Sequence, residues 1–366
     1  MSRTLTGRRR PPLPAAVAAV AALSLLVAAA GAPPARAIVT YGSDVRLTSP
    51  PPASLLDHGY QYIGPDNTYF NPLPVAPNYF LYAKHVSGGR VGQTFQYFGQ
   101  SYTIQEVIPH PTNDLALLRV DNVFTNPIPL YQPGGSEVGA EVFIAGKGGF
   151  MQKSGPIIAV DTGGSPSYAG LQNGWSLTNI GDSASRTWGQ NRVNSLVGIQ
   201  ANGAVVSGED YLRMTFDQPG QGDNIYGDAA QQANEAMASF GDSGAGVFML
   251  QNGQWRLAGV VYAVDAGFYS TPTSSSPNTG AIYDARGMWE DVGGGQPRRY
   301  ITGDEPVPLA FYATRISNNL DWIHANTNFT VATVPEPGTA ALTAFGAGVG
   351  AAAWGVSARR RRKRGA

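Results

Sequence analysis

The sequence predicts an all-β fold, and three observations support this expectation. Glycine and proline supply 46 and 27 of the 366 residues, which indicates many turns. Short apolar runs such as "LALLRV", "VFIAG" and "GVVYAV" recur between the turns. Long amphipathic helical patterns are scarce, and one of the few lies near the C-terminus. Because the chain has no cysteine, such a fold must be held by core burial rather than by disulfides.

Residues 1–37 predict an export signal. A basic start is followed by a long apolar run and by Ala35-Arg36-Ala37, whose two alanines suit cleavage by signal peptidase. An uncleaved membrane anchor is the alternative. The run Arg8-Arg9-Arg10 leaves twin-arginine export open, although that motif is incomplete.

The charge of the chain is segregated between its ends and its body. Residues 1–37 carry five arginines and no acid, and residues 335–366 carry six basic residues and one glutamate. The 25 basic and 25 acidic residues of the whole chain therefore leave 14 basic and 24 acidic residues between these ends, a net charge of −10. An acidic body lacks the basic footprint that nucleic-acid binding needs, so we expect no nucleic-acid partner.

Of the four histidines, His85 is the candidate for a general base. In "NYFLYAKHVSGG" it follows an apolar strand and precedes two glycines, and the end of a rigid strand holds a base in a defined position. His58 lies near the expected mature start and His110 on a turn, while "RISNNLDWIHANTNF" predicts a C-terminal helix with His324 near its end. A purely structural His85 remains the alternative.

Asp114 is the candidate acid. It begins the apolar run of residues 115–120 in "PTNDLALLRVD". An ionised carboxylate at the mouth of a buried strand needs a hydrogen-bond partner. A neighbouring imidazole N–H would supply one, and Asn113 with the following backbone N–H groups is the alternative.

Ser243 is the candidate nucleophile, in "ASFGDSGAGVF" at residues 238–248. A polar turn leading into the next strand is the alternative for the serine alone. The order His85, Asp114, Ser243, with each residue at a strand–loop junction, is far more specific than any one of them. A second Gly-Asp-Ser, at residues 181–183, is followed by alanine and by no apolar strand, so we expect it to be unrelated.

These segments resemble the trypsin/chymotrypsin-like serine protease family. The similar stretches are "AKHV", "NDLALLRV", "GDSGAG", "LAGVVYAV" and "LDWIHAN", and they span about residues 38–326. The resemblance implies two six-stranded antiparallel β-barrels with a C-terminal helix, with His85 and Asp114 from the first barrel and Ser243 from the second. It also implies a monomer that needs no metal and no organic cofactor.

The resemblance assigns a role to each site residue. His85 would take the proton of Ser243 and Asp114 would orient the imidazole. The backbone N–H groups of Gly241 and Ser243 would bind the developing oxyanion. Glycine at 241 suits a backbone conformation that a Cβ would penalise.

Asp242 is expected to pair with a new N-terminus. In the family, the matching aspartate binds an amine that usually belongs to Ile-Val, and cleavage after Ala37 would expose Ile38-Val39. We therefore expect export to replace zymogen cleavage. The next residues, Thr40-Tyr41-Gly42, depart from the family pattern, and a loop cap is the alternative role of Asp242.

The specificity pocket departs from the family. Met237 stands where the family selects charge, which argues against a Lys or Arg preference and for an apolar or small side chain. Tyr262, Ala263 and Val264 replace the usual Ser-Trp-Gly of the pocket wall. Two segments rich in Gly, Ser and Asn, residues 161–190 and 265–304, look like surface loops that restrict entry or like disordered decoration.

The C-terminal residues predict a sorting signal. Pro335-Glu336-Pro337 precedes 19 uncharged residues, Thr339 to Ser357, and an arginine-rich tail. This pattern resembles the PEP-CTERM sorting signal of Gram-negative bacteria, which implies processing by an exosortase and membrane contact before it. A plain tail anchor is the alternative.

The sequence therefore predicts a signal peptide at 1–37, a protease domain at 38–333 and a sorting signal at 334–366. We expect an exported serine endopeptidase at the cell surface, outer envelope or extracellular matrix, acting on a protein or peptide. Signal peptidase and an exosortase would process it. The alternatives are a catalytically silent, protease-like binding module and an esterase on the same fold.

Overall fold

A computed structural model of the chain describes residues 38–42, 49–65, 71–86, 89–147, 151–179, 186–200, 204–218, 234–278, 280–292 and 295–328. Of these residues, 44% lie in strands and 7% in helices, which confirms the all-β class with one short C-terminal helix. The predicted signal peptide and sorting signal lie outside the described residues. Within those residues, none of the helices has the length and apolar character needed to cross a bilayer.

The described residues from 38 to 192 form ten strands. They are β1 Val39–Thr40, β2 Leu73–Ala76, β3 Tyr79–Tyr82, β4 Thr94–Tyr97, β5 Gln100–Pro109, β6 Ala116–Val120, β7 Glu141–Lys147, β8 Met151–Ile158, β9 Gln172–Asn179 and β10 Arg186–Arg192.

The second half adds ten more strands and the helix. They are β11 Ser195–Ile199, β12 Val205–Thr215, β13 Ala236–Met237, β14 Gly246–Gln251, β15 Gln254–Val264, β16 Phe268–Tyr269, β17 Gly280–Ile282, β18 Trp289–Glu290, β19 Arg299–Tyr300, β20 Ala310–Arg315 and α1 Leu320–Thr327. Short 3-10 turns occupy Ala53–Leu55, Tyr60–Tyr62 and Ser317–Asn319.

Two large sheets carry the fold. One has five strands in the order β2-β3-β6-β5-β4, and the other has seven in the order β10-β7-β14-β15-β20-β12-β11. All strand pairs within the sheets are antiparallel. A two-stranded ribbon joins β1 to β13.

Side chains alternate between two cores along the five-stranded sheet. Phe80 and Tyr82 of β3 enter an aromatic cluster with Tyr97 and Tyr102, whereas Leu81 points to the opposite face. This period of two is the geometry of a strand buried on both faces.

The second face of the five-stranded sheet packs against the seven-stranded sheet. Leu81 and Leu117 share one core with Phe143 and Phe248 of β7 and β14, and Ile323 of α1 joins them. A further core, with Ile144, Val247 and Leu212 among its members, fills the other side of the seven-stranded sheet. The shared core brings the loops after β3 and before β6 close to the loop before β14.

The two segments rich in Gly, Ser and Asn are only partly loops. Residues 265–304 contain β16, β17, β18 and β19, and β17 pairs with β9 in a sheet of order β17-β9-β8. Strands β16, β18 and β19 form another three-stranded sheet. The expectation of irregular surface loops is therefore corrected for the described part of both segments.

Candidate active site

His85 lies three residues beyond the end of β3. The chain turns at Ala83, whose carbonyl accepts the Val86 N–H at 3.1 Å. The side chain of His85 is 40% exposed, so the imidazole is reachable from solvent. The buried strand before it fixes where the ring stands.

Asp114 lies in the turn between β5 and β6, with its side chain 10% exposed. Its Oδ1 accepts the backbone N–H of His85 at 2.8 Å, and its Oδ2 lies 2.6 Å from His85 Nδ1. The sequence left two possible partners for this carboxylate, an imidazole or Asn113 with the following backbone N–H groups. In the structure, the carboxylate contacts the imidazole. Asn113 turns away, because its Nδ2 donates to Asn319 at the start of α1.

His110 stabilises the turn that carries Asp114. Its Nδ1 accepts the N–H groups of Thr112 and Asn113 at 3.2 and 2.9 Å, and its ring meets Trp322 edge-on at 4.8 Å. Burial lowers the pKa of His110, and nearby Lys84 lowers it further. A neutral ring is what an acceptor nitrogen requires, so His110 has a structural role here.

Ser243 lies at the tip of the turn between β13 and β14. The turn is closed by Asp242 N–H to Ser239 O at 3.0 Å and by Ala245 N–H to Asp242 O at 2.9 Å. Gly241 has φ +100°, a conformation that a side chain would strain, as the sequence predicted.

The three predicted residues meet in space. Ser243 Oγ lies 2.7 Å from His85 Nε2, and Asp114 Oδ2 lies 2.6 Å from His85 Nδ1. With a carboxylate beside Nδ1, the neutral ring carries its proton there and leaves Nε2 to accept the serine proton. The arrangement can therefore make the serine oxygen nucleophilic.

Two tyrosines border this group of residues. Tyr262 presents its ring to His85 edge-on at 5.7 Å and stacks on Tyr211 at 5.1 Å. Burial raises the pKa of Tyr211 to about 12, with Tyr262 and Asp114 adding to the rise. Tyr262 therefore covers one side of His85 and is backed by Tyr211, whose hydroxyl stays neutral at physiological pH.

The predicted oxyanion donors have no competing acceptor among the described residues. No hydrogen bond to another described residue occupies the backbone N–H groups of Gly241 and Ser243, and both residues are partly exposed. Two free N–H groups beside a nucleophile can stabilise a developing negative charge.

Ile38 and Asp242 are both fully buried. The Ile38 nitrogen is a peptide N–H in this chain and donates to Thr187 Oγ1 at 3.3 Å. Asp242 Oδ2 accepts the N–H and the hydroxyl of Ser239 at 2.6 and 3.1 Å, as a loop cap does. The Ile38–Asp242 pair stays a prediction for the cleaved chain.

Met237 and Val264, two of the four predicted pocket residues, line a small pocket of about 50 Å³ beside the Ser243 turn. Ala238, Phe240 and Asp265 are also in its wall. Tyr262 packs against His85 instead, and Ala263 and Tyr262 both pack against a small cluster around Tyr312.

Sequence reasoning missed Asn71. This residue is 3% exposed, and its Nδ2 donates to the Ser243 carbonyl at 3.0 Å. Its Oδ1 accepts the N–H of Lys147, the last residue of β7. One amide thus ties the nucleophile's backbone to the seven-stranded sheet. Nothing in "FNPLPV" marks Asn71, since its partners are 76 and 172 residues away.

Among the described residues, no three His, Asp or Glu side chains are grouped closely enough to hold a metal ion. A scan against models of protein families finds no match for this chain, and a search of curated proteins finds no significant match.

Proposed function

We propose that this protein is an exported serine endopeptidase. The observation that carries the proposal is the chain of short contacts from Asp114 Oδ2 through His85 to Ser243 Oγ, at 2.6 and 2.7 Å. A serine, an imidazole and a carboxylate in this order are the parts that acyl transfer needs.

Acylation begins when Ser243 Oγ attacks the carbonyl carbon of the scissile peptide bond. Nε2 of His85 takes the hydroxyl proton as the C–O bond forms, and Asp114 stabilises the imidazolium. The C–N bond then breaks, and His85 gives the same proton to the leaving nitrogen. The acyl group remains on Ser243 as an ester.

Deacylation repeats the steps of acylation, with water as the nucleophile in place of Ser243. His85 takes a proton from the water as its oxygen attacks the ester carbon. The ester C–O bond breaks, and the proton returns to Ser243 Oγ as the carboxylic acid leaves. In both tetrahedral stages, the N–H groups of Gly241 and Ser243 bind the oxyanion, and each such donor is worth about 10²–10³ in rate.

At the finer level of the fold, we propose that the two large sheets close as two six-stranded barrels. The packing of the five-stranded sheet on the seven-stranded sheet supports this arrangement, with His85 and Asp114 on one side and Ser243 on the other. We further propose a monomer that is processed by signal peptidase and an exosortase and works in the cell envelope or matrix.

The substrate preference follows from the small pocket. A volume of about 50 Å³ with Met237 and Val264 in its wall suits a small apolar side chain before the scissile bond. An arginine or phenylalanine side chain is too large for this space, and Asp265, the carboxylate in the wall, already accepts the Ala310 N–H and the Tyr312 hydroxyl.

A peptide panel tests the proposal. We expect cleavage after alanine or valine at least about tenfold faster in kcat/KM than after arginine or phenylalanine. Ser243→Ala abolishes cleavage, whereas Ser183→Ala, at the second Gly-Asp-Ser, leaves it unchanged. A folded protein that cleaves no peptide, or cleaves equally well after Ser243→Ala, contradicts the proposal and favours a silent binding module.

A further inference from the structure

A second and larger cavity, of about 460 Å³, adjoins the pocket of Met237. Asp265 lines both spaces, so the two are neighbours. The volume is ample for a long amino-acid side chain. The cavity is built by β12, by residues 265–304, the second of the two segments rich in Gly, Ser and Asn, and by residues 307–309.

The end of β15 leads from Ser243 to this cavity. Ala263 and Val264 pair with β20 on one side, but pairing with β14 stops at Val260. Val261 still exchanges backbone hydrogen bonds with Gly244 and Ala245, and no described strand occupies the edge beyond Val261. An extended substrate can add to such an edge by backbone hydrogen bonds. A peptide lying there has its scissile bond at Ser243 and its more distant acyl-side residues at the cavity.

The charged residues of the cavity differ in their ion-pair and hydrogen-bond partners. Asp265 accepts the Ala310 N–H at 2.8 Å and the Tyr312 hydroxyl at 2.7 Å, and Glu290 is bridged by Arg299. Arg213 of β12 takes part in none of the ion pairs among the described residues. Its side chain hydrogen-bonds that of Tyr312, and its charge lowers the pKa of the nearby Asp265 against the rise that burial causes.

The rest of the wall is apolar or aromatic. Phe268, Ile301 and Leu309 can cover the methylene groups of an entering side chain, and Tyr300 and Thr302 add hydroxyls. An apolar wall with one guanidinium that forms no ion pair with a described carboxylate favours a ligand with a short hydrocarbon stem and a negative end.

We propose that this cavity binds an acidic side chain of the substrate, glutamate or aspartate, and that Arg213 recognises its carboxylate. The side chain belongs to a residue two to five places before the scissile bond. This inference rests on the proposed peptidase function and names the substrate class of the same site.

The test uses pairs of peptides with alanine before the scissile bond. Each pair carries glutamate or glutamine at one of the second to fifth positions on the acyl side. For the wild-type protein, one position gives glutamate about tenfold higher kcat/KM than glutamine, the factor that 1.4 kcal/mol corresponds to. Arg213→Gln brings this ratio of glutamate to glutamine kcat/KM to about one.

The matched control is Arg256→Gln, another half-buried arginine on the same sheet that lines neither cavity. It keeps the glutamate preference. A preference absent at all four positions, or one that survives Arg213→Gln, overturns the inference.

Two further readouts separate this inference from the proposed function. Fluorophosphonate labelling of Ser243 that persists while the glutamate preference is absent overturns the inference alone. Absence of labelling on folded wild-type protein overturns the peptidase proposal. Binding of the same peptides to Ser243→Ala protein, followed by fluorescence anisotropy, then decides the glutamate preference without any cleavage.

Discussion

Asp114 contacts His85 at two atoms of the same residue, the backbone nitrogen and Nδ1. The backbone contact fixes which oxygen faces the ring, so the carboxylate cannot rotate without losing a hydrogen bond. The second oxygen then holds the proton on Nδ1. Orientation and tautomer are therefore set by a single side chain, and this makes Asp114 the most informative residue to change.

We expect Asp114→Asn to lower the fluorophosphonate labelling rate of Ser243 by about 10³–10⁴ with little change in the fold. If the amide oxygen keeps the His85 N–H, its NH₂ group faces Nδ1 and forces the ring proton to Nε2. The ring then no longer accepts from Ser243. The measurement is the fraction of labelled protein followed over time, which gives the labelling rate.

Asp121→Asn is the control for that change, since Asp121 also accepts a backbone N–H, that of Thr103, but at an exposed site. It should label like wild type. Equal labelling rates for Asp114→Asn and Asp121→Asn would contradict the orienting role of Asp114.

Asn71 acts on Ser243 through the backbone, so we describe it as a positioning residue. Asn71→Ala removes this partner from the Ser243 carbonyl and from the buried Lys147 N–H. We expect it to lower the unfolding free energy by about 1–3 kcal/mol. We also expect slower labelling of Ser243 under conditions where the variant is fully folded.

Urea unfolding and labelling kinetics measure the two effects of Asn71→Ala separately. Asn122→Ala removes an exposed amide that donates to Ser101 O, and it should change neither. If Asn71→Ala lowers stability but labels at the wild-type rate, the positioning role is wrong and only a structural one remains.

At the scale of elements, β1 connects the predicted cleavage site after Ala37 to the Ser243 turn. Val39 and Thr40 pair with Met237 and Ala236 of β13, which ends four residues before Gly241. Ile38, just before β1, is fully buried. A new ammonium at Ile38 would be a buried charge that needs a partner, and Asp242 is the acid in the adjoining turn.

We therefore expect the exported protein to begin at Ile38 and to label faster than a chain with one added glycine before Ile38. The expected ratio is about 10², the effect of one oxyanion donor, because an Ile38 ammonium paired with Asp242 would hold the N–H groups of the Ser243 turn more firmly in place. N-terminal sequencing and labelling rates measure the two parts. Another natural start, or equal rates, would contradict activation by export.

The strands that could be predicted are those whose sequence is a continuous apolar run, because such a run indicates burial. "LALLRV" and "GVVYAV" lie within or next to β6 and β15; β6 is nearly fully buried, and the middle of β15 is buried while its ends are partly exposed. The pairing of β17 with β9 could not be predicted, because Gly280 pairs with Ser176, more than 100 residues away. A Cβ at Gly280 would approach Trp175 O to 2.7 Å, so a glycine that suggested a loop serves close strand contact.

The candidate site divides in the same way. His85, Asp114 and Ser243 carry local signals, since each borders an apolar strand. Asn71 and Arg213 carry none, because their relevance depends on which distant segments fold against them. The same limit applies to Tyr262 and Ala263, which were expected in the pocket wall but pack elsewhere.

At the scale of the whole molecule, histidine burial predicts how stability depends on pH. His58 stacks on Trp255 at 4.0 Å and meets Phe143 edge-on at 5.8 Å. Burial lowers the pKa of His58, while Asp57 and Glu141 partly oppose the shift. The unfolded chain therefore binds the proton at higher pH than the folded one, and this contribution to stability is present above about pH 6.5 and lost on acidification.

We expect the unfolding free energy to fall between pH 7.5 and pH 5.5, and His58→Gln to reduce this fall. Burial also lowers the pKa of His110, so His110 adds to the decrease in unfolding free energy on acidification. Part of the decrease therefore remains in His58→Gln. Urea unfolding at each pH is the measurement, with His324→Gln as the control. An unchanged pH dependence in His58→Gln would contradict the account of His58.

The most direct test of the central claim, that Ser243 is a nucleophile activated by His85 and Asp114, is the intact mass of the exported protein after fluorophosphonate treatment. We predict a single adduct that disappears in Ser243→Ala and persists in Ser183→Ala. No adduct on folded protein that begins at Ile38, or an adduct that survives Ser243→Ala, would contradict the claim.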